Sequence, residues 1–222
     1  TTDSSKSLAS RLHKKNIKFY ANDSIADHVS KDDLESMIRQ ISENFKNIFS
    51  VMGIDFLNDH NTKETPDRIA KMWVTELFKG RYLKAPKLTF FPNVNNYEQM
   101  VFVGPIQVKS VCAHHFVPII GECFVGLVPD TKLIGLSKYA RIVDWICRRP
   151  QIQEEMTHQI AEFIKDNISP KGIAVQIKAK HFCMACRGVN ETAAETITSA
   201  FLGNAFKDAQ LKQEFFHNIS RT

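Results

Sequence analysis

Residues 98–112 (EQMVFVGPIQVKSVC) and 119–129 (IIGECFVGLVP) decide how the chain reads. Both are rich in Val, Ile and Phe, and in the first Ile106, Val108, Ser110 and Cys112 recur at every second position. Successive side chains of a strand point to opposite faces, so this spacing predicts a strand with one face turned inward. The two stretches read as antiparallel strands joined by Ala113–Pro118. The turn residues Ser169-Pro170-Lys171-Gly172 precede a further strand, in which Ile173, Val175, Ile177, Ala179, His181 and Cys183 share a face.

Helical patterns lie on either side. Ser30 and Asp33 can cap a helix carrying Leu34, Ile38, Ile41, Phe45, Ile48 and Met52 at helical spacing, with Gly53 as its stop. Thr65-Pro66 starts a second, with Ile69, Met72, Trp73 and Leu77 inward and an end near Gly80. Beyond the paired strands, one helix opens at Ser137 with Ile142, Val143 and Ile146, and another follows Pro150 with Met156, Ile160 and Ile164. Residues from Thr192 onward read as a mixed segment. Helices, strands, helices and a strand make an α+β order, without the strict alternation of a doubly wound fold. The organisation expected is a loose, flexible arm over residues 1–29, a helical region over 30–95 and a strand-bearing region over 96–222.

With 222 residues, 43% hydrophobic and 24% charged, the composition is that of an ordinary globular chain and excludes wholesale disorder. No apolar run nears the roughly 20 residues of a membrane helix. The first residues lack the apolar block of a secretory signal, so a soluble protein is expected. The net charge of +5 favours anionic ligands, but the basic residues are scattered, and neither a nucleic-acid nor a membrane partner is expected. Five cysteines (Cys112, Cys123, Cys147, Cys183, Cys186) are an odd number for a disulfide framework. They point to a reducing, cytoplasmic setting, where clustered cysteines serve metals or catalysis.

The sharpest cluster is Cys112-Ala113-His114-His115 with Cys183-Met184-Ala185-Cys186. Thiolate and imidazole are preferred zinc ligands; three protein ligands plus water make a catalytic site, and four make a closed structural one. Cys112 and His115 can meet one ion from a turn that follows a strand, and Cys183 can approach from the other strand. Spacing alone leaves three readings open: a catalytic metal on Cys112, His115 and Cys183, a structural metal that also takes Cys186, or buried side chains with no metal. The long separation of His115 from Cys183 is unlike a compact finger. His114 and His181, spare in the three-ligand scheme, are candidates for proton transfer near neutral pH. Cys123 and Cys147 lie on apolar faces and read as core.

A second constellation is basic. Ser137 and Lys138 open a helix and Arg141 lies one turn on, which suits an anion at a helix N-terminus, although taken alone an exposed helix with solvated cations is the better reading. Arg187 directly follows the second cysteine cluster, and Arg68 sits in the first turn of the Thr65 helix. Glu154 is a first-turn carboxylate of a type that pairs with base N–H donors such as a guanine edge.

At these residues the chain resembles the GTP cyclohydrolase I family. The matching stretches are Glu64-Thr-Pro-Asp-Arg68-Ile-Ala-Lys71, Ser110-Val-Cys112-Ala-His114-His115-Phe-Val-Pro118, Gly135-Leu-Ser137-Lys138-Tyr-Ala-Arg141, Arg149-Pro-Gln-Ile-Gln153-Glu154 and His181-Phe-Cys183-Met-Ala-Cys-Arg187-Gly188. They occur in the family's order and, with the segments between them, cover roughly residues 32–218.

The resemblance implies a tunnelling fold: an antiparallel sheet with helices packed on one face, a barrel closed between subunits, and a helical N-terminal extension. It also implies a homo-oligomer, a decamer of two pentamers, with active sites at subunit boundaries. By position, Cys112, His115 and Cys183 would hold Zn2+, and His114 and His181 would be the acid–base pair. Glu154, helped by Gln153, would hold the guanine ring, while Ser137, Lys138, Arg141, Arg187 and Arg68 would grip the triphosphate. The activity implied is zinc-dependent hydrolysis and rearrangement of GTP to 7,8-dihydroneopterin triphosphate plus formate, the first step of folate and pterin biosynthesis. Two departures stand out. The family usually has Cys-Glu-His-His, where this chain has Ala113, and it commonly places a non-ligand where Cys186 stands. They keep two alternatives in view: a divergent paralogue that acts on another purine nucleotide or stops at ring opening, and a non-catalytic homologue with a structural four-ligand zinc.

Overall fold

A computed structural model describes residues 7–222, which fall into two compact units divided between Lys84 and Ala85. Among the described residues no helix is long and apolar enough to cross a membrane.

The first unit is helical: α1 (Leu8–Lys14), α2 (Lys31–Val51), α3 (Thr65–Met72), a π-helical turn (Trp73–Leu77) and α4 (Lys79–Tyr82). The capping pair expected at Ser30 is present. The Ser30 hydroxyl accepts from the Asp33 N–H at 3.1 Å, and the Asp33 carboxylate accepts from the Ser30 N–H at 2.9 Å. Gly53 follows the helix with φ +70°, a left-handed conformation that costs glycine little. The apolar stripe of α2 ends on buried Phe49, whereas Ile48 and Met52, assigned to it by spacing, are exposed. In α3 and the π-helical turn that follows it the inward residues are Pro66, Ala70 and Val74, spaced by four. Met72, expected inward, is exposed because it sits two residues, or about 200°, round the helix from Ala70.

For residues 1–29 the sequence predicts a loose arm; residues 1–6 lie outside the described residues, and the rest has definite structure. Ser7 caps α1, Leu12 is buried, and Arg11 pairs with Asp33. Arg81 donates to the carbonyls of Phe19, Tyr20, Ala21 and Asp23, holding an irregular stretch by its backbone. Seven helical residues with one buried apolar anchor are too few for periodicity to register.

The second unit is built on a five-stranded sheet in the order β5-β2-β3-β6-β7, with β2 (Val101–Cys112), β3 (Pro118–Val128), β6 (Gly172–His181) and β7 (Thr196–Gly203) antiparallel. The short β5 (Pro150–Gln151) runs parallel to β2, and β1 (Phe90–Pro92) pairs with β4 (Lys132–Ile134) in a separate ribbon. The strands predicted around 98–112 and 119–129 are therefore β2 and β3. Strand β6 stops at His181; Cys183 falls in the short helix α7 (Phe182–Ala185), not on the strand face expected for it.

Helices α5 (Leu136–Cys147) and α6 (Gln153–Ile168) cover one face of the sheet. Tyr139, Ile142, Val143 and Ile146 from α5 and Met156, Ile160 and Ile164 from α6 close over Val108, Cys123, Val125, Leu127, Ile173, Val175 and Ile177. At roughly 1.5–3 kcal/mol for each large apolar side chain removed from water, this layer is the main stabilising feature of the unit. The opposite face is not bare, as the one-sided arrangement would have it. Helix α8 (Ala209–Ser220) sets Phe215 into a cluster with Met100, Phe124, Val128, Ala174 and Phe206. Gly126 makes this approach feasible, since a Cβ there would sit 2.7 Å from both Met100 and Phe215.

Candidate active site

The site lies where two strand ends meet beside β3. Ile119 of β3 pairs with His181 at the end of β6, while Val111 of β2 pairs with Pro118 at the start of β3. This register brings the turn after Cys112 next to the segment after His181. The turn is tied by its backbone: Cys112 N–H donates to Val117 O at 2.8 Å, Phe116 N–H to Cys112 O at 2.9 Å, and Ala113 N–H to Gln151 O at 3.0 Å. Phe116 takes φ +53°, which lets so short a turn reverse direction. Gln151 is itself fixed, donating to Ile146 O at 2.8 Å and to Gln159 Oε1 at 3.0 Å.

The result is that ligand atoms of Cys112, His115 and Cys183 all lie within 4.8 Å of one another. Among the described residues this is the one group of three or more His, Cys, Asp or Glu side chains so arranged. Two thiols and an imidazole are a donor set suited to zinc, and ligands about 2.0–2.3 Å from a tetrahedral ion stand within such a separation of each other. Cys112 is buried, Cys183 half-buried and His115 exposed, so the group is anchored on its sheet side and open on the other. Burial pushes the Cys183 thiol up, and the adjoining Cys112 thiol adds to the shift. Cys186 stands outside the group; its thiol donates to Phe182 O at 2.8 Å, closing the turn of α7.

His114 is exposed, with its ring 6.3 Å from that of His115. His181 is half-buried, and its Nε2 lies 2.6 Å from Gln153 Oε1. Burial pulls the His181 imidazole below its ordinary pKa, opposed by the negative charge of Glu154. Gln153 is buried at the start of α6, and Glu154, next to it, is exposed. Arg187 donates from Nη1 to His115 Nε2 at 2.9 Å, which joins a predicted phosphate residue to a predicted metal ligand.

Ser137, Lys138 and Arg141 sit in the first two turns of α5, a 12-residue helix whose N-cap, Gly135, offers no side chain to its leading N–H groups. Ser137 and Arg141 are exposed, and Lys138 is half-buried. Arg68 belongs to the first unit, where it pairs with Glu64 at 2.6 Å. Two hydroxyls that sequence reading passed over join the site. Thr157 bonds Gln153 O at 2.7 Å, and Thr198 on β7 stands 3.1 Å from Gln153 Nε2. Thr157 could have been found one helical turn from Gln153, but Thr198 lies on a strand that the sequence reading left as mixed.

Comparison with known proteins gives the family of the chain. The family model described as GTP cyclohydrolase I matches residues 41–220. A protein named GTP cyclohydrolase 1 from Actinobacillus pleuropneumoniae serotype 5b is 39% identical over 190 residues, covering 85% of this chain and 87% of that protein. Proteins of the same name from Flavobacterium johnsoniae (40% over 186 residues, 83% and 82% covered) and Wigglesworthia glossinidia brevipalpis (42% over 184 residues, 82% and 84% covered) are similar along the same extent. The match runs through both units and takes in every site residue above, and the chain belongs to the GTP cyclohydrolase I family.

Proposed function

We propose that this chain is a zinc enzyme that converts GTP to 7,8-dihydroneopterin triphosphate and formate. The observation that carries this reading is the convergence of Cys112, His115 and Cys183 beside His181, in a chain whose relatives are named GTP cyclohydrolase 1. Cys112, His115 and Cys183 would hold Zn2+, a Lewis acid that at three-ligand sites lowers the pKa of water to about 7.

The side chains supply the rest. A proton delivered by His181 to N7 of the purine draws electrons from C8 and opens it to attack by water. The C8–N9 bond then breaks, a second hydrolysis releases C8 as formate, and the ribose carbons rearrange to a carbonyl that closes on the freed amine with loss of water. His114, exposed beside the metal ligands, is the second acid–base group. Glu154 accepts from the N–H donors of the guanine edge. The leading N–H groups of α5, with Ser137, Lys138, Arg141, Arg187 and Arg68, bind the triphosphate; guanidinium groups suit such bidentate anion capture. The enzyme works as a homo-oligomer, a decamer of two pentamers in the cytoplasm, with the barrel and active sites completed between subunits. Neither nucleic acid nor membrane takes part.

Cys186 bears on the structural-zinc reading. Its thiol is turned to Phe182 O and lies outside the ligand group, which favours a three-ligand site over a closed one. The test is incubation of metal-analysed protein with GTP, assaying formate and fluorescent pterin together. Both products are expected, and both should vanish in Cys112→Ser. Formate without pterin would indicate arrest after ring opening; neither product from folded, zinc-loaded protein would overturn the proposal.

A further inference from the structure

The environment of Gln153 fixes which nitrogen of His181 is available for chemistry. Gln153 is 1% exposed, and its Nε2 lies 3.1 Å from Ile177 O, 2.9 Å from Thr196 O and 3.1 Å from Thr198 Oγ1. Backbone carbonyls only accept hydrogen bonds, so the NH2 end of the amide must face them. Reversing the amide would set Oε1 against two carbonyl oxygens in a buried place, where unsatisfied polar groups are costly.

The threonines point the same way. Thr157 Oγ1 donates its single hydrogen to Gln153 O at 2.7 Å. The 2.6 Å contact between the two threonine hydroxyls must then be donated by Thr198. That leaves the Thr198 oxygen free to accept from Gln153 Nε2, which closes a network with one direction throughout. Gln153 Oε1 is therefore the atom 2.6 Å from His181 Nε2. An amide oxygen cannot donate, so His181 carries its hydrogen on Nε2, and the neutral ring keeps its lone pair on Nδ1.

We propose that Gln153 is a positioning residue: together with Thr157 and Thr198 it holds His181 as the Nε2–H tautomer, and Nδ1 is the nitrogen that exchanges a proton with the purine. The inference rests on His181 being the acid–base group of the reaction proposed above. It departs from the guanine-holding role that the family resemblance implies for Gln153, because this amide is buried with its donors and its acceptor engaged inside the protein. The guanine edge is left to Glu154.

Neutron diffraction from crystals of the perdeuterated, zinc-loaded protein, kept above neutral pH and free of GTP, reads the tautomer directly. Deuterium on His181 Nε2, facing Gln153 Oε1, is expected; deuterium on Nδ1 with Nε2 bare would overturn the proposal. This result does not depend on turnover, so absence of GTP hydrolysis would count against the proposed function alone. Kinetics supply the second readout. Gln153→Leu should lower kcat about 10- to 100-fold, by analogy with the effect of losing a partner that orients a metal-ligating histidine, with KM for GTP unchanged. Thr198→Val should lower kcat less, and Thr198→Ser should restore it. A raised KM with kcat preserved, or kcat unchanged in Gln153→Leu and Thr198→Val alike, would overturn the proposal.

Discussion

Two pairs of cysteines in the same sheet-bearing unit have opposite fates. Cys123 on β3 and Cys147 at the end of α5 are fully buried between sheet and helices, and burial is the main cause that pushes their thiols up, that of Cys147 to about 12 with Asp144 adding to the effect. They are small apolar residues in practice. Cys112 ends β2 and Cys183 lies in α7 just past the end of β6, where the chain leaves the sheet and brings two thiols and an imidazole to within 4.8 Å of each other. The residue type is shared and the chemistry is not. The middle of the sheet is sealed by α5 and α6, and its open end brings together the candidate metal ligands and the His181–Gln153 hydrogen-bond network.

This contrast can be broken from either side. At the open end, His181→Ala should reduce kcat about 10²- to 10⁴-fold, the usual contribution of general acid–base catalysis, with the melting temperature unchanged. In the sealed middle, Ile160→Ala should cost about 2–5 kcal/mol of stability, read from chemical denaturation, while zinc bound per folded molecule stays the same. On the α8 face, Gly126→Ala should cost about 1–3 kcal/mol, because the added methyl group meets Met100 and Phe215 at 2.7 Å and one of them must shift.

The smallest effect belongs to the helical unit, remote from this contrast. Ser30→Ala should cost about 1 kcal/mol through loss of the α2 cap. Burial opposes ionisation of Asp33, but the Ser30 N–H and hydroxyl and the Arg11 guanidinium outweigh it and hold the carboxyl below its ordinary value. A carboxyl with a lowered folded pKa adds stability above its unfolded pKa of about 3.9, and that stability is lost as pH falls through the folded value. Asp33→Asn should therefore be less stable than the parent at neutral pH, and the gap should close in acid.

The comparison also explains what could be read in the sequence. Strand β2 is legible by its alternation, β3 by its Val, Ile and Phe content, α5 and α6 by helical spacing, and α2 by its Ser30–Asp33 cap. The three metal-binding candidates were visible as residue types. Their convergence depends on the β2–β3–β6 register and on α7, which turns Cys183 out of the strand that its spacing suggested. Helix α1, the β1–β4 ribbon and β7 stayed hidden, being short or lacking strict alternation. The Thr157–Thr198 network was out of reach for the same reason: it joins α6 to a strand that periodicity did not separate from the mixed C-terminal segment. Cys186 carries the opposite lesson, since a spacing that looked fit for a fourth ligand is spent on a backbone carbonyl one turn away.

The central claim is that the open sheet end holds one metal ion on three protein ligands. Zinc-edge X-ray absorption on the purified protein and on Cys186→Ser tests it most directly. The account predicts two sulfurs and one imidazole nitrogen in the shell, with an oxygen completing it, and the same spectrum in both proteins. Three sulfurs in the parent, falling to two in Cys186→Ser, would contradict it and mark the site as a closed structural zinc.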